Sequence, residues 1–234
     1  SDVVITVVSS DTGEATLNSP LTFTSANWDT PQTVTVTGVD DGFVDGTITS
    51  TIAIAVDDAN SDDDFDSVAD QTVSVDTTDD DVAGFTIEET DAATEVDESG
   101  STDTFTIVLD AQPTNDVVVL ATASNDETEA IVSGSITFTS ENWDTPQTVT
   151  VTGVDDDLVD GDQTYGITIS IVDTISDDDF DGVADQSVSS TTLDDDAPGF
   201  TIEETDESTE VDESGSTDTF TVVLDAQPTS DVVL

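Results

Sequence analysis

Apolar and polar residues alternate with a period of two along most of this chain. Phe105, Ile107 and Leu109 alternate with Thr104, Thr106 and Val108, and Ile136 and Phe138 alternate with Ser135, Thr137 and Thr139. Val149 and Val151 alternate with Thr148, Thr150 and Thr152, and Ile167, Ile169 and Ile171 with Thr168 and Ser170. Such alternation sets one face of an extended strand against a core and the other against water, and Thr on the wet face keeps β propensity without adding charge. No stretch combines 3.6-residue spacing with good helix formers. The pattern predicts strands near 84–90, 94–98, 102–110, 116–124, 131–139, 147–154, 164–172 and 185–192, the first two readable as one broken strand. About seven short strands with regular turn signals predict an antiparallel sandwich. Pro113, Pro146 and Pro198 fall between the runs, where a missing N–H does no harm. Trp143 and Tyr165 read as core or rim packing.

The pattern repeats. Phe23-Thr-Ser-Ala-Asn-Trp28-Asp-Thr-Pro-Gln-Thr-Val-Thr-Val-Thr-Gly-Val-Asp-Asp41 returns 115 residues later around Trp143, with Glu141 in place of Ala26. Gly84-Phe-Thr-Ile-Glu-Glu-Thr90 returns from Gly199, and Asp79–Asp81 returns as Asp194–Asp196. The repeating unit therefore runs from about Gly84 to Pro198 and is complete once. Residues 1–83 read as the later part of a preceding unit, and 199–234 as the opening of a following one. The expectation is a segment of a longer tandem array, with both ends inside a repeat. The first unit lacks the counterpart of Gly84–Thr114, and the tail is that same segment. Either covalent continuation of a longer chain or a head-to-tail copy in a fibre supplies it, and the sequence does not separate the two.

Charge changes the picture more than composition does. The 234 residues include 56 Asp and Glu and no Lys, Arg or His, for a formal net charge of −56. Self-repulsion opposes every compact state, and no side-chain cation can offset it from within. High net charge is a mark of disorder, yet 34% of the chain is hydrophobic and patterned, which argues for folding. There is no Cys for a disulfide or a thiolate zinc site, and no Lys for an isopeptide cross-link. Nucleic acid and anionic lipid would be repelled. No apolar run reaches membrane-spanning length, so no membrane insertion is expected.

The acids gather in loops. The first cluster, Asp155-Asp156-Asp157-Leu158-Val159-Asp160-Gly161-Asp162-Gln163, lies between two strands. So many carboxylates in one turn do not all stay ionised without a counter-ion. Its counterpart, Asp40-Asp41-Gly42-Phe43-Val44-Asp45-Gly46, has lost two acids, which predicts a weaker or differently coordinated site. The second cluster places Asp177, Asp179, Asp181 and Asp185 at relative positions 1, 3, 5 and 9, with Gly182 at 6 and the Val183 carbonyl at 7. That is the spacing of an EF-hand-type loop, without flanking helices and without the closing Glu, since position 12 is Val188. Asp62, Asp64, Asp66 and Asp70 repeat it in the first unit. Oxygen ligands with no nitrogen or sulfur partner suit a hard cation, above all Ca²⁺. The competing reading of both loops is a solvated acidic turn.

The run Val-Thr-Val-Thr-Gly-Val-Asp-Asp-Asp-Leu-Val-Asp-Gly-Asp-Gln163, with Val96-Asp-Glu-Ser-Gly100 upstream and Asp194-Asp-Asp196 at the end, resembles the Calx-β domain. More closely, it is similar to the tandem Calx-β-like repeats of very large bacterial surface and secreted proteins. The resemblance spans the chain as one complete and two partial units. It implies an immunoglobulin-like sandwich of seven strands, with calcium ligands gathered at one end. Carried over, it assigns Glu98 as an early ligand, Asp155, Asp156 and Asp160 as loop acids, Leu158 as a carbonyl donor, and Asp194, Asp195 and Asp196 as the terminal run. Gln163 stands where an acid is usual. The earlier unit supplies Asp40, Asp41, Asp45, Asp79, Asp80 and Asp81, and Glu213 in the tail stands 115 residues beyond Glu98. The shortened segment near Asn125–Glu129 leaves the ligand number open. Several Ca²⁺ ions per repeat are implied, at the junction with the next unit.

The leading expectation is a non-catalytic, Ca²⁺-rigidified spacer of an extracellular bacterial stalk, adhesin or filament at the cell surface. Its partners would be neighbouring repeats of the same chain or head-to-tail copies. Two other classes stay open: a Ca²⁺-sensing regulatory module, and a glycan- or surface-binding sandwich built on the outward Thr rows. Without His, Cys, Lys or Arg, the catalytic menu is short, and no enzyme activity is expected.

Overall fold

The structure is a computed structural model that describes residues 1–91, 93–124, 128–205 and 207–233. It is all-β: among the described residues the only helical pieces are four three-residue 3-10 turns. The chain divides into two compact units, Ser1–Ala83 and Gly84–Leu234.

In the first unit the strands are β1 (Val3–Ser9), β2 (Ala15–Leu17), β3 (Leu21–Phe23), β4 (Val36–Gly38), β5 (Ile48–Val56) and β6 (Gln71–Thr77). They form a four-stranded sheet, β3-β1-β5-β6, and a two-stranded one, β2-β4. The second unit opens with β7 (Phe85–Glu89), β8 (Thr94–Asp97), β9 (Thr102–Leu109), β10 (Val117–Ala123), β11 (Ala130–Val132) and β12 (Ser135–Phe138). It continues with β13 (Gln147–Gly153), β14 (Gln163–Ile171) and β15 (Gln186–Leu193). These make a five-stranded sheet, β12-β10-β14-β15-β8, and a four-stranded sheet, β11-β13-β9-β7. The tail adds a hairpin of β16 (Phe200–Glu204) and β17 (Phe220–Leu224).

The core follows the alternation. Phe105, Ile107 and Leu109 of β9 and Val149 and Val151 of β13 are buried from one sheet, and Val117, Val119, Ile167 and Ile169 from the other. Tyr165 is buried with its hydroxyl among Ser190 and Thr192, which supplies the polar partner a buried phenol needs.

Two features depart from the periodic reading. The run at 131–139 is not one strand. It breaks at Ser133–Gly134, where Gly134 takes φ 75°, and β11 joins β13 while β12 joins β10. The left-handed turn lets one chain segment serve both sheets. The opening pair is likewise two strands in different sheets, and β8 runs parallel to β15, not antiparallel.

A single heptapeptide shows how far pairing decides structure. Gln-Thr-Val-Thr-Val-Thr-Gly is a full strand at 147–153, paired along its length with β9. At 32–38, where the described residues of the unit provide no counterpart of β9, only the last three residues are strand. Propensity is equal in both, so the tertiary partner makes the difference.

Phe105→Ala should destabilise the second unit by about 3–5 kcal/mol, the cost of a large cavity in a packed core. Phe220→Ala, at the repeat-equivalent but 53% exposed position, should change the dilute chain's stability by less than about 0.5 kcal/mol. Chemical denaturation at fixed salt checks both.

Candidate metal centre

Glu98 sits on a turn that closes β8. Its N–H donates to the Leu193 carbonyl (3.2 Å), continuing the β8–β15 pairing. The Asp97 carboxylate accepts from the Ser99 hydroxyl, the Asp97 N–H donates to Ser101 Oγ (2.7 Å), and Gly100 takes φ 92°. These bonds hold Asp97 below the ordinary carboxylate range, chiefly through the Ser99 hydroxyl. The turn lies hard against β13: a Cβ on Gly153 would stand 1.9 Å from the Asp97 carbonyl oxygen, so only glycine fits there.

The loop between β13 and β14 is laced by its own acids. Asp156 accepts from the Leu158 N–H (2.7 Å), and Gly161 has φ 76°. Asp194 spans to this loop, accepting from the Gly161 N–H (2.7 Å) and from the Asp196 N–H (2.9 Å). Gln163 Nε2 donates to the carbonyls of Asp160 (3.2 Å) and Gly161 (3.0 Å).

Two acidic groups result. Glu98 meets Asp195 and Asp196, and Glu129 meets Asp156 and Asp160; within each group one oxygen of every residue lies within 4.8 Å of the others. Glu98 is only 1% exposed, and neither of its carboxylate oxygens has a hydrogen-bond partner. Glu129 Oε2 and Asp196 Oδ2 are also buried without one. Burial, and then the charges of Asp156, Asp194, Asp160 and Glu129, push Glu98 up to about 7. Glu129 and Asp196 are raised too, first by burial and then by neighbouring acids.

A buried carboxylate with no donor costs several kcal/mol unless it is protonated or meets a cation. The chain has no Lys, Arg or His side chain to supply that cation. The residues therefore fit a bound hard cation: oxygen donors only, converging, and short of positive charge.

The first unit carries parallel groups, Asp40 with Asp80 and Asp81, and Glu14 with Asp41 and Asp45. They line a cavity of about 30 Å³. Asp79 repeats the role of Asp194, accepting from the N–H groups of Asp45 (3.0 Å), Gly46 (2.8 Å) and Asp81 (2.8 Å). The two acids missing from its loop correspond to Asp157 and Asp162, which belong to neither group in the second unit. Their loss therefore leaves the Glu14, Asp41 and Asp45 set whole. What the first unit lacks among its described residues is a counterpart of Glu98.

The loop with EF-hand-type spacing is built differently. Asp177 is buried, but it accepts from the Asn115 N–H (2.6 Å), the Thr114 hydroxyl (2.8 Å) and the Asp179 N–H (3.1 Å). These bonds hold it below the ordinary carboxylate range against the burial that pushes it up. It caps a 3-10 turn, Asp178–Phe180, and ties it to the 114–115 loop. Asp179, Asp181 and Asp185 are exposed, and the Val183 N–H donates to the Phe180 carbonyl (3.1 Å). Asp62 likewise caps Asp63–Phe65, with Asp64, Asp66 and Asp70 exposed. Among the described residues, neither loop contributes to a group of converging acids. Asp155 and Asp194 also stand outside the groups, Glu213 is exposed, and Asn125–Glu127 lie outside the described residues.

Glu14 and Glu129 were not among the expected ligands. Their signal was present: a Glu-Ala pair recurs 115 residues apart, its Glu immediately before β2 and β11 and its Ala opening each strand.

No protein-family model matches the chain, and no curated protein sequence matches it. Solved structures resemble it at low identity. Surface layer protein SbsC domains 1–6 align over 92% of this chain at 17% identity, with a TM-score of 0.37; this chain spans 24% of that structure. SbsC domains 4 and 5 align over 81% of this chain and 70% of theirs, at 17% identity and a TM-score of 0.34. The apo-form Calx CBD1 domain aligns over 48% of this chain and 98% of its own length, at 16% identity and a TM-score of 0.32. Likenesses this distant carry no argument about function.

In chelator, the raised Glu98 group sets a pH dependence. The folded state keeps a proton that the unfolded state, with its ordinary value of 4.5, releases between pH 4.5 and about 7. The metal-free chain should gain stability as pH falls through that window and lose it as pH rises. Glu98→Gln should flatten the trend; thermal melting in chelator between about pH 7.5 and about pH 5 reads it.

Proposed function

We propose that the chain is a Ca²⁺-rigidified, non-catalytic structural segment of an extracellular bacterial stalk, adhesin or filament. One observation carries the reading: a fully buried, unpartnered Glu98 carboxylate converging on Asp195 and Asp196 in a chain without side-chain cations. Glu98, Asp195 and Asp196 would hold one ion, and Glu129, Asp156 and Asp160 another. Ca²⁺ would supply the positive charge that the sequence withholds. The resemblance of the acidic motifs to Calx-β repeats agrees with that choice of ion, and repetition of the acids in each unit favours ligation over catalysis.

Placement supports the mechanical role. Asp194–Asp196 end the complete repeat and β16 begins at Phe200. The next repeat also touches the acidic loop: the Gln227 N–H donates to the Asp157 carbonyl (2.6 Å), and Leu158 and Gln227 form a parallel bridge. An ion that fixes this loop and the terminal acids stiffens the junction to the hairpin beyond. Without it, like charges repel across the same junction.

Calcium at one hundred times its dissociation constant should stabilise the complete unit by about 2.7 kcal/mol. Glu98→Gln, which keeps the side chain's size, should lose most of that gain. Small-angle scattering with circular dichroism, in Ca²⁺ and then in chelator at matched ionic strength, should show an extended particle that bends, collapses or unfolds. An unchanged shape and spectrum would mean that the acidic loops are solvated turns.

A further inference from the structure

A line of buried hydroxyl groups ends at the main chain of Glu129. Ser190 and Thr192 of β15 are fully buried, and Tyr165 of β14 is buried beside them. Ser190 Oγ lies 3.1 Å from the Tyr165 hydroxyl, which lies 3.2 Å from Thr192 Oγ1, which lies 3.2 Å from the Glu129 carbonyl oxygen. The last member fixes the direction. A carbonyl oxygen only accepts, and each hydroxyl has one proton to give. Thr192 therefore donates to Glu129, Tyr165 to Thr192, and Ser190 to Tyr165. Every hydroxyl in the line finds an acceptor, as burial requires.

The Glu129 carbonyl takes a second bond, from the Val154 N–H at 2.9 Å. Val154 immediately precedes Asp155-Asp156-Asp157, and Thr192 stands two residues before Asp194. The Val154 bond prolongs the pairing of β11 with β13, so it lies within one sheet. The Thr192 bond comes from the other sheet. One carbonyl oxygen thus joins both sheets to the residue whose side chain meets Asp156 and Asp160. Glu129 Oε2 meets no protein donor, and Oε1 accepts from the adjacent Thr128 hydroxyl at 3.4 Å. What aims this carboxylate is chiefly the main chain that carries it.

The first unit repeats the end of the line and not its beginning. The Val39 N–H and the Thr77 hydroxyl both donate to the Glu14 carbonyl, at 2.9 and 3.2 Å. Glu14 belongs to the group with Asp41 and Asp45. Val75 stands at the place of Ser190, and Ser50 at the place of Tyr165, with its hydroxyl buried and without a partner. The core behind the threonine differs between the units, yet the bond from threonine to glutamate is the same. Satisfying a buried tyrosine is therefore not what keeps the threonine there.

We propose that Thr192 is a positioning residue for the Glu129, Asp156 and Asp160 group: its hydroxyl fixes the Glu129 main chain against the second sheet and so aims the carboxylate at the ion. That role rests on the calcium reading above.

A Ca²⁺ titration of the 234-residue chain, followed by amide NMR, reads the two groups separately. Amides of Asp156–Asp160 report on the Glu129 group, and those of Glu98–Gly100 on the Glu98 group. Thr192→Val keeps the side chain's shape and removes its hydroxyl. It should weaken Ca²⁺ at the Glu129 group about tenfold and leave the Glu98 group within about twofold. Thr192→Ser, which keeps the hydroxyl, should restore the affinity. In chelator, the Glu129 carbonyl carbon signal should move in Thr192→Val and stay in place in Thr192→Ser, which reads the bond with no ion present. Tyr165→Phe removes a buried hydroxyl from the same line but leaves Thr192 its proton, and should leave both affinities unchanged. Unchanged affinity at the Glu129 group in Thr192→Val overturns the proposal. So does equal weakening at both groups, or an equal loss in Tyr165→Phe, since either would mean that the hydroxyl serves the core alone. If neither set of amides responds to Ca²⁺ in the unsubstituted chain, the calcium reading itself fails and the aiming role falls with it, whatever the chelator signal shows.

Discussion

A carboxylate taken out of water must meet a hydrogen-bond donor, a proton or a cation, and this chain supplies no side-chain cation. That constraint sorts the acids into two kinds. Asp97, Asp177 and Asp194 are spent on N–H and hydroxyl groups of the protein, where they shape turns and tie loops together. Glu98, Glu129 and Asp196 keep buried oxygens that no donor reaches. The first kind aims the second: Asp97 closes the turn that buries Glu98, and Asp194 binds the acidic loop to the terminal run. The converging groups thus follow from how the loops are hydrogen-bonded, and not from acidity alone.

The strands were legible because their information is local. Period-two alternation placed Phe105, Val149 and Ile167 in the core, where the structure has them. What the alternation did not contain was the pairing. The break at Gly134 depends on a left-handed turn that a continuous apolar-polar pattern runs straight through. The parallel placement of β8 depends on β15, nearly a hundred residues away. The repeated Gln-Thr-Val-Thr-Val-Thr-Gly is strand or largely irregular according to its neighbour, which no reading of those seven residues reveals.

The acids divide along the same line. Asp-x-Asp-x-Asp-Gly spacing suits a calcium loop, but an Asp that accepts from the N–H two residues on and caps a short 3-10 turn has the same spacing. That Thr114 and Asn115 reach Asp177 from elsewhere in the unit is not contained in the spacing. Conversely, Glu129 looks like an isolated loop residue and gains its meaning only when β11 carries it beside Asp156 and Asp160.

The most direct test of the central claim is a crystal structure of the chain grown with Ca²⁺ or a lanthanide in its place, with an anomalous difference map. The account predicts a peak among Glu98, Asp195 and Asp196, with oxygens about 2.3–2.6 Å from a bound Ca²⁺. Absence of a peak, with Glu98 instead protonated and hydrogen-bonded to a neighbouring carboxylate, would contradict it.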